Sequence, residues 1–158
     1  MKKLPDLRLL LEYKNLLVIE RFKQNFPGFS DSAEQLFTDM LKYLWLSVKH
    51  EHDLKANPGN PELQFIPVMH EEMRPIDNMW HEFILITLDY HEFCNHYFGE
   101  YLHHVPNMRE KLKFTEEDFT NQLELFLNYI YEQLGEETLI LWFNEHVENK
   151  QFFLLNSV

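Results

Sequence analysis

The chain has 158 residues, the usual size of one domain, and we predict a single domain over residues 1–158. Its 26 acidic and 14 basic residues give a net charge of −12, so the surface repels phosphate backbones and anionic lipid headgroups. This excludes nucleic acid and membrane surfaces as expected partners. The single Cys cannot form an internal disulfide, which fits a reducing compartment or a chain that needs none.

The N-terminal segment has the leucines of a secretory signal, but charged residues interrupt it. Asp6, Arg8, Glu12 and Lys14 break the apolar run, and no small-residue cleavage site follows. No window reaches the roughly 18 apolar residues of a membrane span. We therefore expect a cytoplasmic protein, or one that is exported without an N-terminal signal.

Two amphipathic helices are predicted in the first third of the chain. The first has apolar residues at three-and-four spacing from Leu7 to Phe22 and is stopped by Pro27 and Gly28. The second carries an apolar stripe over residues 36–48, and we expect it to fade at His50, with His50 and His52 solvated.

The rest of the chain predicts three further helices and no alternating strand. Residues 56–64 indicate a loop, and residues 65–74 a short extended piece or one helical turn. The later helices are predicted from about Pro75 to Phe98, ended by Gly99, then from Thr115 to Gly135, and from Glu137 to about Val147. The last should face inward through Leu139, Ile140, Phe143 and Val147. The predicted class is all-α, a compact bundle of about five helices.

The third predicted helix is unusually rich in aromatic residues and histidine. At about 100° per residue, one sector collects its core-facing residues, with Cys94 among them. The opposite side alternates leucines such as Leu85 and Leu88 with polar groups, so we expect a central helix that is covered on both sides. The predicted core-facing set is Met79, Phe83, Ile86, Tyr90, Phe93, Cys94, Tyr97 and Tyr101.

Asp77 and His81 stand four residues apart and share one face of this helix. In a purely structural interpretation, Asp77 starts the helix and His81 bonds to it. In a functional interpretation, both converge on a metal, or Asp77 orients His81. On these two residues alone the structural interpretation is favoured, because structural pairs also orient histidines.

The distribution of histidines strengthens the metal interpretation. Eight of the nine lie between His50 and His104, and His103 and His104 follow Gly99, where a turn could return them to the helix. Imidazole is a common ligand of zinc and iron, but several groups must converge. No HExxH or CxxC motif is present. Cys94 is then foremost a small core residue, although Cys94 and His70 stay possible further site residues.

The motif around these residues resembles that of the glycine-rich domain-containing protein-like family. The matching pattern, within residues 74–106, consists of Ile76-Asp77, Trp80-His81, Tyr90, Phe93-Cys94, Gly99 and His103 or His104. The resemblance implies that Asp77, Trp80, His81, Cys94 and His104 belong to one neighbourhood. Phe83 stands where many members carry a second histidine, and the long glycine-rich region is missing, so neither a WHxH metal pair nor an RNA-related role carries over.

The sequence therefore predicts a polar pocket between the third helix and the following loop. Its expected metal ligands are Asp77, His81 and His103 or His104, with zinc as the first candidate and iron as the second. The alternative is an acidic helical protein-interaction module without metal, in which these residues only hold the loop to the helix. Trp80 should bury its ring beside His81.

Overall fold

The computed structural model describes residues 1–105 and 115–144, and over these ranges the chain is helical without a strand. The predicted all-α class is confirmed, with seven α-helices in the described residues instead of about five. None of them has the length and hydropathy needed to cross a bilayer. The helices are α1 (Leu7–Leu10), α2 (Leu16–Asn25), α3 (Ala33–Ala56), α4 (Arg74–Leu85), α5 (Thr87–Phe98), α6 (Glu116–Leu134) and α7 (Glu136–Trp142).

The first predicted helix is in fact two helices, because two polar side chains cap separate starts. Asp6 accepts hydrogen bonds from the backbone amides of Arg8 and Leu9 at the start of α1. Asn15 accepts one from the amide of Val18 at 3.2 Å and so begins α2. Asparagine is among the preferred N-cap residues, and Asn15 marks the break between α1 and α2. The apolar period continues across this break and therefore does not reveal it.

The third predicted helix is also divided, into α4 and α5. Ile86 leaves helical geometry with ψ near 73°, and its amide bonds to the Phe83 carbonyl at 3.1 Å. Leu85 and Leu88 beside the break are 63% and 67% exposed, so the expectation of a helix covered on both sides is wrong.

The core face is confirmed at five of its predicted positions, but Tyr101 is exposed. The five buried residues are Met79, Phe83, Tyr90, Phe93 and Cys94.

Helix α3 is the longest described helix, and it contacts α1, α2, α4 and α6. It continues to Ala56, so its end does not fray where the apolar stripe weakens. His50, predicted to be solvated, is only 4% exposed, and its Nε2 lies 2.9 Å from the Leu63 carbonyl oxygen. His52 is half-buried, with its Nε2 2.7 Å from the carbonyl oxygen of Lys2. The carbonyl groups of Leu63 and Lys2, which bond to these imidazoles, belong to other segments of the chain, and a helical pattern cannot reveal such contacts.

The boundaries predicted for α6 agree with the structure. Thr115 Oγ1 accepts a hydrogen bond from the amide of Asp118 at 3.1 Å, and Gly135 ends the helix at φ 93°. In α7 the inner face differs from the prediction, since Ile140 is 37% exposed. The residues buried at this end of the chain are Thr138, Trp142 and Phe143. Val147 lies outside the described residues.

Candidate metal centre

Asp77 and His81 occupy the same face of α4, as their spacing predicts, but they do not bond directly. Pro75 lies at the beginning of α4 and Asp77 in its first turn, where a carboxylate is favoured by the helix dipole. His81 Nε2 is 3.9 Å from Asp77 Oδ2, beyond hydrogen-bonding distance. The side chain of His81 is 52% exposed, so it is open to a further partner.

The direct partner of Asp77 is His104, which comes from the loop after α5. His104 Nε2 lies 2.6 Å from Asp77 Oδ1, a short hydrogen bond in which the imidazole donates to the carboxylate. The His104 ring centroid lies 4.4 Å from that of His81. Gly99 adopts φ 74° and ends α5, which frees the chain to turn back. The loop thus brings a second imidazole to the α4 pair.

The loop is anchored by a buried chain of hydrogen bonds beneath His104. The Trp80 indole Nε1 donates to the Tyr90 hydroxyl at 2.9 Å, and that hydroxyl donates to the Leu102 carbonyl at 2.5 Å. The Trp80 ring is 5% exposed and packs against His104 with 4.2 Å between centroids. Trp80 therefore lies where the sequence places it, buried beside the site.

The three side chains lie near enough to one another that small movements would bring them onto a single metal ion. One ligand atom from each of Asp77, His81 and His104 can be chosen so that all lie within 4.8 Å of one another. Around tetrahedral zinc, with bonds of about 2.0–2.2 Å, ligand atoms stand about 3.3 Å apart. To bind the ion, Asp77 Oδ1 and His104 Nε2 would move apart slightly from their hydrogen-bonded distance, and His81 Nε2 would move closer to Asp77. One carboxylate and two imidazoles form a donor set that suits zinc or iron.

Two cavities open beside this cluster and share Asp77 and Met69. One, of about 590 Å³, is lined in part by His81 and by exposed polar side chains, among them Glu71 and Glu72. The other, of about 330 Å³, is largely apolar and lies on the side of Trp80 and His104. Within the part of the chain that the structure describes, the cluster therefore lies between two cavities.

Three other residues that the sequence suggests for the site, His103, His70 and Cys94, do not belong to the cluster, although His103 lines the smaller cavity. His103 is exposed, and its ring lies against Tyr101 with 4.8 Å between centroids. His70 is 7% exposed and packs among the rings of Phe119, Phe126 and Phe143, although it also lines the larger cavity. Cys94 is completely buried on the core face. Of His103 and His104, the structure places His104 at Asp77.

Cys94 is expected to be chemically inert in the folded protein. Burial raises the pKa of its thiol, an effect that outweighs its contacts with the Leu102 backbone and the Tyr90 side chain. The nucleophilic thiolate is therefore scarce at neutral pH, and reagents lack access. Ellman's reagent should react slowly with the native protein and release one equivalent promptly after denaturation in guanidinium. Rapid reaction under native conditions would show that Cys94 is not a core residue.

No pattern in the sequence indicates that Tyr90 and Leu102 support the candidate site. The helical pattern places Tyr90 on the core face and the motif around the site contains it, but neither predicts a bond from its hydroxyl to Leu102. A signal was available in principle, because a tyrosine among buried phenylalanines needs a hydrogen-bond partner for its hydroxyl. The identity of that partner depends on the path of the loop, which helical periodicity does not determine.

A family model matches the central part of the chain. No curated protein and no solved structure matches the chain. The proposed resemblance to the glycine-rich domain-containing protein-like family is wrong, because the family model that matches this region is a different one. The match spans less than half of the chain but contains Asp77, His81 and His104. Over residues 67–132 the chain is similar to the UCP032817-like family.

Proposed function

We propose that this protein binds a divalent transition metal ion through Asp77, His81 and His104, with zinc as the first candidate and iron as the second. The observation that carries the proposal is the approach of three ligand atoms from these residues to within 4.8 Å of one another. Two of the ligands come from one turn of α4, and the third comes from a separate segment. A metal would therefore join the loop to the helix.

The ligand set favours an exchangeable site over a closed structural one. Structural zinc sites use four protein ligands, whereas catalytic zinc sites use three and leave a position for water or substrate. The set here supplies three, and His81 faces a cavity of about 590 Å³. Two histidines with one carboxylate also serve non-haem iron with open positions.

The second candidate is an acidic helical module that binds a protein partner and holds no metal. It is favoured by the hydrogen bond of 2.6 Å between His104 and Asp77, which holds the loop to α4 without an ion. The packing of His104 on Trp80 adds to the same attachment. In this case the net charge of −12 would favour a basic partner.

Elemental analysis of protein purified without a metal-affinity tag separates the two candidates. The metal proposal predicts close to one equivalent of zinc or iron, and removal by chelator should lower the melting temperature because a metal that binds only the folded state stabilises it. The interaction module predicts less than about half an equivalent and a melting temperature that chelator does not change. Zinc titration into chelator-treated protein then distinguishes a site emptied in purification from one that never forms.

A further inference from the structure

The hydroxyl of Tyr90 is the centre of the hydrogen-bond chain beneath His104. It accepts from Trp80 Nε1 at 2.9 Å and donates to the Leu102 carbonyl at 2.5 Å, which uses its donor and one acceptor position. Trp80 belongs to α4, Tyr90 to α5 and Leu102 to the loop. One oxygen atom therefore connects the three segments that surround the candidate ligands.

We infer that Tyr90 is a positioning residue of the proposed metal site, which holds the third ligand, His104, in place through the Leu102 carbonyl and the Trp80 indole. The inference rests on the proposed function and adds to it the source of the site's preorganisation. Asp77 and His81 owe their relative position to one turn of α4. His104 has no such support, because it lies in a loop and depends on contacts with other segments.

The hydroxyl makes these two bonds and also contacts the Cys94 side chain, whereas the ring packs in the core. Tyr90 is completely buried, and its ring lies 5.0 Å from that of Phe83 in an edge-on contact that a phenylalanine would also make. Burial raises the pKa of the hydroxyl, with a smaller contribution from Cys94, so it stays protonated and able to donate at neutral pH. Residue 90 thus differs from a core phenylalanine in the atom that reaches Leu102.

Removing that oxygen should release the loop locally. The Leu102 carbonyl would lose its donor and the Trp80 indole its acceptor, both in surroundings where Leu102 and Trp80 are 5% exposed. An unsatisfied buried polar group is costly, so the loop should shift towards water. His104 stands two residues beyond Leu102 and should move with it, leaving Asp77 and His81 as an incomplete pair of ligands.

The test compares Tyr90→Phe with Tyr129→Phe by zinc titration into chelator-treated full-length protein. Tyr129 is a matched control because it is 4% exposed and its hydroxyl bonds to Asp53 Oδ2 at 2.6 Å, joining α6 to α3 outside the candidate site. Loss of a partner that orients a ligand weakens metal binding by about 10- to 100-fold, and this is the result expected for Tyr90→Phe. Tyr129→Phe should keep the parental affinity. An equal loss of zinc affinity in both variants would show that the effect is general destabilisation of the fold, and it would overturn the inference.

A double variant determines whether Tyr90 acts through His104. If it does, adding Tyr90→Phe to His104→Ala should weaken zinc binding no further, since the ligand it positions is already gone. The same factor in both backgrounds would assign Tyr90 a separate effect and overturn the inference.

The failure of the metal proposal is distinguishable from failure of the positioning role. If the parent protein takes up no zinc, the proposed function fails, and the role of Tyr90 is then judged by NMR of the metal-free protein. Packing on Trp80 at 4.2 Å places the His104 ring protons in the ring current of the indole. Tyr90→Phe should move these signals towards their random-coil positions, and Tyr129→Phe should not. Unchanged His104 signals in Tyr90→Phe would overturn the positioning role.

Discussion

His104→Ala and His81→Ala are each expected to reduce zinc binding by more than about 100-fold, since even the loss of a residue that only orients a ligand costs about 10- to 100-fold. Each substitution removes one of three ligands and leaves a pair that binds the ion only weakly. The measurement is zinc titration into chelator-treated protein, followed by elemental analysis of the loaded variants. Asp77→Asn should weaken binding in the same direction, because the amide retains the shape of the carboxylate without its charge.

His91→Ala is the matched control for these variants. His91 also precedes a glutamate and lies on α5, but it is exposed, and its Nε2 meets Asn95 Nδ2 at 3.0 Å outside the cluster. Its removal should change neither bound zinc nor stability by a measurable amount. Equal losses of bound zinc in His81→Ala and His91→Ala would contradict the assignment of His81 as a ligand. A larger loss in His91→Ala would place the metal site on the face of α5 that carries His91.

The same variants also test the metal-free alternative. In that case no substitution changes the metal content, and His104→Ala still removes the hydrogen bond to Asp77 and the contact with Trp80. Because both partners of that bond are partly exposed, we expect a loss of only about 1 kcal/mol in unfolding free energy. His81→Ala should then be nearly neutral, since His81 lies 3.9 Å from Asp77 and is half exposed. The two candidates therefore predict different rankings of the same variants.

Local signals in the sequence determine much of the helical architecture. Gly99 and Gly135 end helices with positive φ, and Thr115 caps α6 through its side chain, as predicted. The division between α4 and α5 was not predictable in this way. Ile86 is neither glycine nor proline, and its departure from helical geometry is not a property of its own side chain. Periodic patterns continue across such a break because the core-facing residues on both sides still meet the same core.

In the candidate site, too, the features that depend on local sequence could be predicted, and those that depend on long-range contacts could not. Asp77 and His81 could be paired from their spacing, because four residues make one turn of a helix. The choice between His103 and His104 could not be made, since neighbouring residues in a loop point in different directions. Which of the two histidines reaches Asp77 depends on the bond of the Tyr90 hydroxyl to the Leu102 carbonyl. The two residues of that bond are 12 positions apart, so no local pattern predicts it. The helical pattern predicts Cys94 on the core face, and the structure buries it there completely.

Trp80→Ala should be the most destabilising single substitution among those considered, with a cost of about 3–5 kcal/mol in unfolding free energy. The Trp80 side chain is 5% exposed and packs against Tyr43 with 5.8 Å between centroids as well as against His104. Truncation leaves a cavity between α3, α4 and the loop, and it leaves the Tyr90 hydroxyl without its donor. Chemical denaturation of metal-free protein measures this cost without a contribution from bound ion.

Trp80→Phe separates the two causes of that destabilisation. Phenylalanine retains most of the ring but has no N–H group, so it should lose the hydrogen bond to Tyr90, about 1 kcal/mol, and a part of the packing. The expected order of stability is therefore parent, Trp80→Phe, Trp80→Ala. An unchanged midpoint for Trp80→Ala would show that the indole is not buried in solution. Equal losses in both variants would assign the cost to the hydrogen bond of Trp80 Nε1. In that case the bond between Trp80 and Tyr90 would attach the loop to α4, and the packing of the ring would contribute little.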